Sequence, residues 1–163
     1  MDLGKLIFLS ITGYLLLLIH DFSQMKKNTI VTLITYAGYP IIVIPYILIF
    51  SIYLPNSAIP CWLTVLLTLL ALALFLLLIY SVLLEIPIKI KKGKIADGGK
   101  NRVVYKLGTY SFSRHPGFIW MTLFNASIYC LFLQREILLL ALVLTLCNLA
   151  LIIVEDMYIF PAV

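Results

Sequence analysis

The chain has 163 residues, of which 63% are hydrophobic and 12% are charged, and its formal net charge is +5. A water-soluble domain of this size would have too few polar groups to cover its surface, so the composition excludes a soluble enzyme and indicates a membrane protein. Uninterrupted Leu/Ile runs, rather than alternating short segments, predict helices. The sequence therefore predicts one all-α membrane domain over residues 1–163.

Five apolar segments approach the length of about 20 residues that a helix needs to cross a bilayer. In chain order they cover residues 3–19, 30–54, 61–84, 117–133 and 137–154. Pro40 and Pro45 remove two backbone donors from the second span and predict a bend there. Only residues 134–136 join the last two spans, so these two should form an antiparallel hairpin.

The distribution of basic residues predicts the orientation in the membrane. Ten of the twelve Lys and Arg residues fall on one side, namely Lys26, Lys27, Lys89, Lys91, Lys92, Lys94, Lys100, Arg102, Lys106 and Arg114. Only Lys5 and Arg135 fall on the other side. The positive-inside rule then places the N-terminus outside and the C-terminus in the cytoplasm. Anionic lipid headgroups account for these charges, which give no indication of a nucleic-acid partner.

The predicted cytoplasmic loop 85–116 is the longest polar segment. Apolar and basic residues alternate at its start, which is typical of a segment that lies in the headgroup region, and the alternative for residues 86–102 is a lid over a cofactor. Residues 96–100 contain two glycines and predict a flexible turn. No His lies near Cys61, Cys130 or Cys147 and no C-x-x-C spacing occurs, so packing is expected rather than a metal or redox site.

Polar residues that could take part in binding or catalysis precede the fourth span. The segment Gly108–Pro116 brings Tyr110, Arg114 and His115 directly before an apolar run. Pro116 suits the first turn of a helix, where its missing N–H would be unpaired in any case. The amides of that turn and the planar guanidinium of Arg114 could together bind a carboxylate or a phosphate.

A second polar group, Glu155 and Asp156, ends the fifth span. The hairpin predicts that Arg114 lies near Glu155, either as part of a binding site or as a simple helix-end ion pair. Asn125 and Asn148 each lie roughly 10 Å from the same end at 1.5 Å per residue, and are expected to hydrogen-bond across the hairpin as a structural contact.

These two segments carry a resemblance to a known family. Residues 108–118 resemble the G-x-Y-x-x-x-R-H-P-x-[YF] signature of the isoprenylcysteine carboxyl methyltransferase family, which is related to the membrane phospholipid methyltransferases. Glu155-Asp156-x-x-Ile159 resembles the E-[ED]-x-x-L that follows the last membrane helix of that family. Trp120 departs from a usual glycine, which predicts narrower access at the start of the helix. The sequence printed here stops at Val163, before the family's F-G-x-x-Y-x-x-Y stretch.

The resemblance implies a methyltransferase that uses S-adenosylmethionine and a lipid-like or prenylated acceptor, with residues 108–160 as the catalytic hairpin. It implies catalytic roles for Arg114 and Glu155, and cofactor binding by Gly108, Tyr110, His115, Pro116, Glu155 and Asp156. Methyl transfer mainly requires alignment and the exclusion of water, which suits a protein with few charges. Two alternatives are a nicotinamide-dependent reductase of the sterol-reductase-like type, with Lys106 as an added basic partner, and a non-catalytic membrane protein.

Overall fold

The computed structural model describes residues 3–26, 28–85 and 108–159, and within them it is an all-α membrane bundle without strands. The helices are α1 Leu3–Met25, α2 Thr29–Thr35, α3 Gly38–Ile52, α4 Cys61–Ile79, α5 Pro116–Phe132 and α6 Arg135–Val154. One π-helical turn, Tyr80–Leu84, continues α4, and another, Glu155–Ile159, continues α6. A 3-10 turn, Gly108–Ser111, precedes α5. The predicted headgroup segment 86–102 lies outside the described residues.

Four helical stretches are long and apolar enough to cross a membrane: Leu3–Ser23, Thr29–Ile52, Cys61–Leu84 and Arg135–Tyr158. The fifth, α5, has 17 residues. At 1.5 Å per residue it is about 26 Å long, near the lower limit for a spanning helix. The expected bundle of about five spans is confirmed, and each span agrees with its predicted position to within a few residues.

Proline causes a break in the second span. The ring of Pro40 clashes with the carbonyl four residues earlier and offers it no N–H, so the helix is interrupted at Tyr36 and Ala37, between α2 and α3. The carbonyl of Tyr36 instead accepts a hydrogen bond from the N–H of Tyr39 at 3.2 Å. Pro45 lies inside α3. The predicted bend is confirmed, and it takes the form of a turn between two helices.

The helix backbones pack in the spatial order α3, α1, α6, α5, α4. Helices α3 and α4, at the two ends of this series, have almost no close backbone contact with each other. Helices α1 and α3 cross closely, because a Cβ atom on Gly38 would lie 2.8 Å from the carbonyl oxygen of Gly13. Two glycines therefore allow α1 and α3 to approach more closely than larger residues would permit.

Asn125 forms a buried polar contact among three helices. The hydroxyl of Tyr46 donates to its Oδ1 at 2.6 Å, and its Nδ2 donates to the Thr145 hydroxyl at 3.0 Å. The expected bond between Asn125 and Asn148 is therefore wrong. Thr145 lies one helical turn nearer the hairpin connection than Asn148 and so reaches the level of Asn125, while Asn148 lines a cavity.

Candidate functional site

A cavity of about 510 Å³ opens at the end of the bundle where α1, α4 and α6 end and α5 begins. This volume lies in the range of small-molecule sites. Its inner walls are mainly aliphatic and aromatic side chains from α1, α3, α4, α5 and α6. Its outer part carries the ionisable residues Asp21, Tyr110, Arg114, His115 and Glu155. The cavity is therefore charged at its mouth and apolar over most of its depth.

The start of α5 positions two of these residues. Pro116 occupies the first turn, and His115 is the cap residue with φ −121°. The backbone N–H of His115 donates to the Ser113 hydroxyl at 3.2 Å. Because the chain turns from the loop into the helix here, Arg114 and His115 both lie at the mouth of the cavity.

The α5–α6 hairpin brings the two sequence motifs into direct contact. Oδ1 of Asp156 lies 3.2 Å from Nε of Arg114 and 3.0 Å from Nε2 of His115. Nδ1 of His115 lies 3.5 Å from Oε2 of Glu155. Arg114 and Glu155 were expected to lie near each other, and both line the same cavity mouth. Arg114 forms an ion pair with Asp156, and His115 lies between the two acids.

The π-helical turn explains why both acids reach the site. Successive side chains of an α-helix point about 100° apart, and the wider π turn reduces that angle. Glu155 and Asp156 open such a turn. Glu155 consequently lines the cavity while its neighbour contacts both Arg114 and His115.

Asp21 on α1 belongs to the site, although the sequence analysis did not select it. Its carboxyl group interacts electrostatically with that of Glu155, and both residues line the cavity. Asp21 and Glu155 therefore form a pair of neighbouring carboxyl groups at the cavity mouth. A signal was present in the sequence, because Asp21 ends an apolar span on the same predicted side as Glu155.

Glu85 is a second residue that the sequence analysis missed. It is fully buried, and its Oε1 accepts a hydrogen bond from the backbone N–H of Thr109 at 3.0 Å. The hydroxyl of Thr109 donates to the same carboxylate. These contacts attach the 3-10 turn before α5 to the end of α4.

A neighbouring contact strengthens this attachment. The hydroxyl of Tyr110 donates to the carbonyl oxygen of Ser81 at 3.2 Å. Burial, and then the negative charges of Glu85 and Glu155, raise the pKa of Tyr110 to about 12. The Tyr110 hydroxyl therefore keeps its proton at physiological pH and remains a hydrogen-bond donor.

The site residues predicted from the sequence differ in whether they line the cavity. Five of them line it: Tyr110, Arg114, His115, Pro116 and Glu155. Asp156 does not line it but contacts Arg114 and His115, which do. Gly108 does not line it, and its φ of 65° starts the 3-10 turn, a conformation that glycine adopts without strain.

Two aromatic residues near α5 lie elsewhere. Phe112 is 75% exposed and does not line the cavity. Trp120 packs against the hydrophobic core, so its expected narrowing of the cavity is wrong. Gly117 and Phe118 line the cavity at this point.

Comparison with protein-family models, curated proteins and solved structures finds no match for this chain. Within residues 3–26, 28–85 and 108–159, no group of three or more His, Cys, Asp or Glu side chains has an arrangement that could hold a metal ion. The described residues bring ion pairs, hydroxyl groups and apolar walls to the site.

Proposed function

We propose that this protein is an integral membrane methyltransferase that transfers a methyl group from S-adenosylmethionine to a lipid-like or prenylated acceptor. The observation that carries the proposal is the meeting of Arg114 and His115 with Glu155 and Asp156 at the mouth of one cavity. Both motifs that resemble the methyltransferase family thus lie at the mouth of a single cavity, which supports the proposal. An unrelated pair of helix-end charges would not require a cavity beside it.

The residues at the mouth fit the chemistry of S-adenosylmethionine. A guanidinium and an imidazole, those of Arg114 and His115, suit its carboxylate. The neighbouring carboxyl groups of Asp21 and Glu155 suit its ammonium or sulfonium charge, and Tyr110 offers an aromatic face for the adenine or for the cation. When bound, S-adenosylmethionine supplies an electrophilic methyl group whose S–C bond breaks as a bond to the acceptor forms.

The apolar part of the cavity suits an acceptor that arrives from the lipid. Side chains of α3 and α4, among them Val43 and Ile79, line the cavity where the two backbones do not pack together. We propose that the hydrocarbon part of the acceptor enters sideways through this gap. The walls then exclude water while Arg114 holds an anionic group of the acceptor or of the donor in place.

Calorimetric binding to the detergent-purified protein tests the proposal. S-adenosylmethionine and S-adenosylhomocysteine should bind saturably, and a nicotinamide dinucleotide phosphate should not. Glu155→Gln should abolish adenosyl binding, because it replaces a carboxyl group at the cavity mouth with a neutral amide, whereas Glu136→Gln at the opposite end of α6 should bind normally. Binding of the dinucleotide alone would indicate a reductase. Binding of neither would contradict an enzymatic role of this type.

A further inference from the structure

The cavity has a second polar level, two helical turns below its mouth. On each of three helices, two polar residues seven positions apart lie on the same face, one at the mouth and one deeper in the cavity. The pairs are Asp21 with Tyr14 on α1, Tyr39 with Tyr46 on α3, and Glu155 with Asn148, of which Asn148 lies on α6 and Glu155 directly follows that helix. Seven residues at 1.5 Å each separate the two levels by about 10 Å.

Aliphatic residues separate the two levels. Leu17, Val43 and Leu151 line the cavity between the members of the three pairs. The cavity therefore changes from charged to apolar and back to polar along its depth. An apolar chain would fit the middle section, but hydrocarbon alone would leave the inner polar groups without hydrogen bonds.

Tyr14 is the strongest indication that a ligand reaches the inner level. Its side chain is only 7% exposed, yet its hydroxyl has no hydrogen-bond partner among the described residues. The hydroxyl oxygen is not enclosed by protein atoms, so it faces the open space of the cavity. An unpaired hydroxyl at the depth of the hydrocarbon layer is costly unless something hydrogen-bonds to it.

Asn148 and Tyr46 complete the inner level. The side-chain amide of Asn148 lines the cavity and makes no hydrogen bond within the part of the chain that the structure describes. Tyr46 donates its proton to Asn125, which leaves its oxygen as an acceptor. Together these side chains offer donors and acceptors but no charge. They match an uncharged group better than a carboxylate, a phosphate or an ammonium.

We propose that Tyr14, Tyr46 and Asn148 form a binding subsite for an uncharged hydrogen-bonding group, such as a hydroxyl or an amide, on a lipid-like ligand. That group would lie about 10 Å along an apolar chain from the part of the ligand held at the mouth. The subsite narrows the proposed function to acceptors with an internal polar group, and it rests on that function only in calling the ligand a methyl acceptor.

Two probes of equal chain length test the subsite without methyl transfer. One is an n-alkylamine and the other is the ω-hydroxyalkylamine, with a chain that spans about 10 Å. The ammonium of either probe should pair with the carboxyl groups of Asp21 and Glu155, and only the second carries a hydroxyl to the inner level. Calorimetry on the detergent-purified protein should show that the hydroxyl probe binds roughly three- to tenfold more tightly, as one or two hydrogen bonds provide.

Variants locate the origin of this preference. Tyr14→Phe and Asn148→Leu should each reduce it while binding of the n-alkylamine stays unchanged, which also shows that the variant is folded. Tyr53→Phe, at the end of α3 and outside the cavity, should keep the full preference. If one of the first two variants does not fold, the other suffices.

Three outcomes would overturn the subsite: no binding of either probe, no preference in the unmodified protein, or a preference that survives both Tyr14→Phe and Asn148→Leu. The two proposals also fail separately. A probe preference without adenosyl binding would keep the subsite and remove the methyltransferase. Adenosyl binding without a probe preference would support the methyltransferase and contradict the subsite.

Discussion

The carboxylate of Glu85, at the end of α4, accepts a hydrogen bond from the backbone N–H of Thr109, with 3.0 Å between Oε1 and the nitrogen. This contact links two segments that the chain separates by 24 positions. Glu85 has no place in the cavity lining, yet the turn that it holds leads directly into Arg114 and His115. It therefore acts on the site by position rather than by contact with a ligand.

We expect Glu85→Ala to release the turn before α5. The partly buried N–H and hydroxyl of Thr109 would lose a charged partner, a loss of about 1.5–3 kcal/mol for the attachment. Trypsin should then cut after Arg114 faster than in the unmodified protein, as measured by mass spectrometry of the peptide that ends there. Glu136→Ala, in the exposed first turn of α6, is the matched control and should leave the rate unchanged. Equal rates in all three proteins would mean that Glu85 does not hold the turn.

Arg114→Lys should weaken adenosyl binding by roughly tenfold or more. A hydrogen bond to a charged group contributes about 1.5–3 kcal/mol, and an ammonium cannot reproduce the planar donor set that contacts Asp156. Calorimetric titration of the variant gives the change directly. Arg135→Lys, at the other end of the bundle, should bind as the unmodified protein does. Normal binding by Arg114→Lys would show that only the charge at this position matters.

The crossing of α1 and α3 predicts an unequal response of two glycines. A Cβ on Gly38 meets the backbone oxygen of Gly13 at 2.8 Å, whereas the atom nearest to a Cβ on Gly13 is a side-chain carbon, Cγ1 of Ile42 at 2.6 Å, and the backbone oxygen of Gly38 lies farther away at 3.2 Å. Gly38→Ala should therefore lower the free energy of unfolding in detergent by about 1–3 kcal/mol, and Gly13→Ala by less.

A double-mutant cycle checks the cause. Ile42→Ala removes the atom that obstructs Gly13, so it should offset part of the cost of Gly13→Ala and none of the cost of Gly38→Ala. Additive effects in both pairs would contradict the assigned contacts.

The predicted orientation is open to cysteine labelling. In a background without Cys61, Cys130 and Cys147, a membrane-impermeant reagent added to whole cells should label a cysteine at position 56 and not one at position 98. Permeabilised cells, as the control, should show labelling at both. The opposite pattern in whole cells would reverse the assignment of the two membrane faces.

Much of the fold follows from local sequence signals. Span positions depend on runs of apolar residues, the break at Tyr36 depends on Pro40 four positions later, and the α5–α6 hairpin depends on a short connection. Each of these signals lies within or directly beside the element it specifies. For that reason the helices and their order along the chain were predictable.

The parts of the site that the sequence did not predict depend on which helices are neighbours. Asp21 joins Glu155 because α1 packs against α6, and no local signal specifies that pairing. Glu85 joins Thr109 across a long connection. The ion pair of Arg114 with Asp156 depends on a π-helical turn, whose geometry the apolar pattern does not reveal.

The packing order differs from the order in which the ribosome makes the helices. Helices α1 and α3 can pair as soon as both exist, but α4 emerges before α5, the helix against which it packs most extensively. Helix α6 follows α5 and packs against both α5 and α1, and Glu155 and Asp156 come directly after it. The candidate site therefore cannot form before α6 is in place. Any fault in the insertion of α6 would remove the site and leave the first two spans paired.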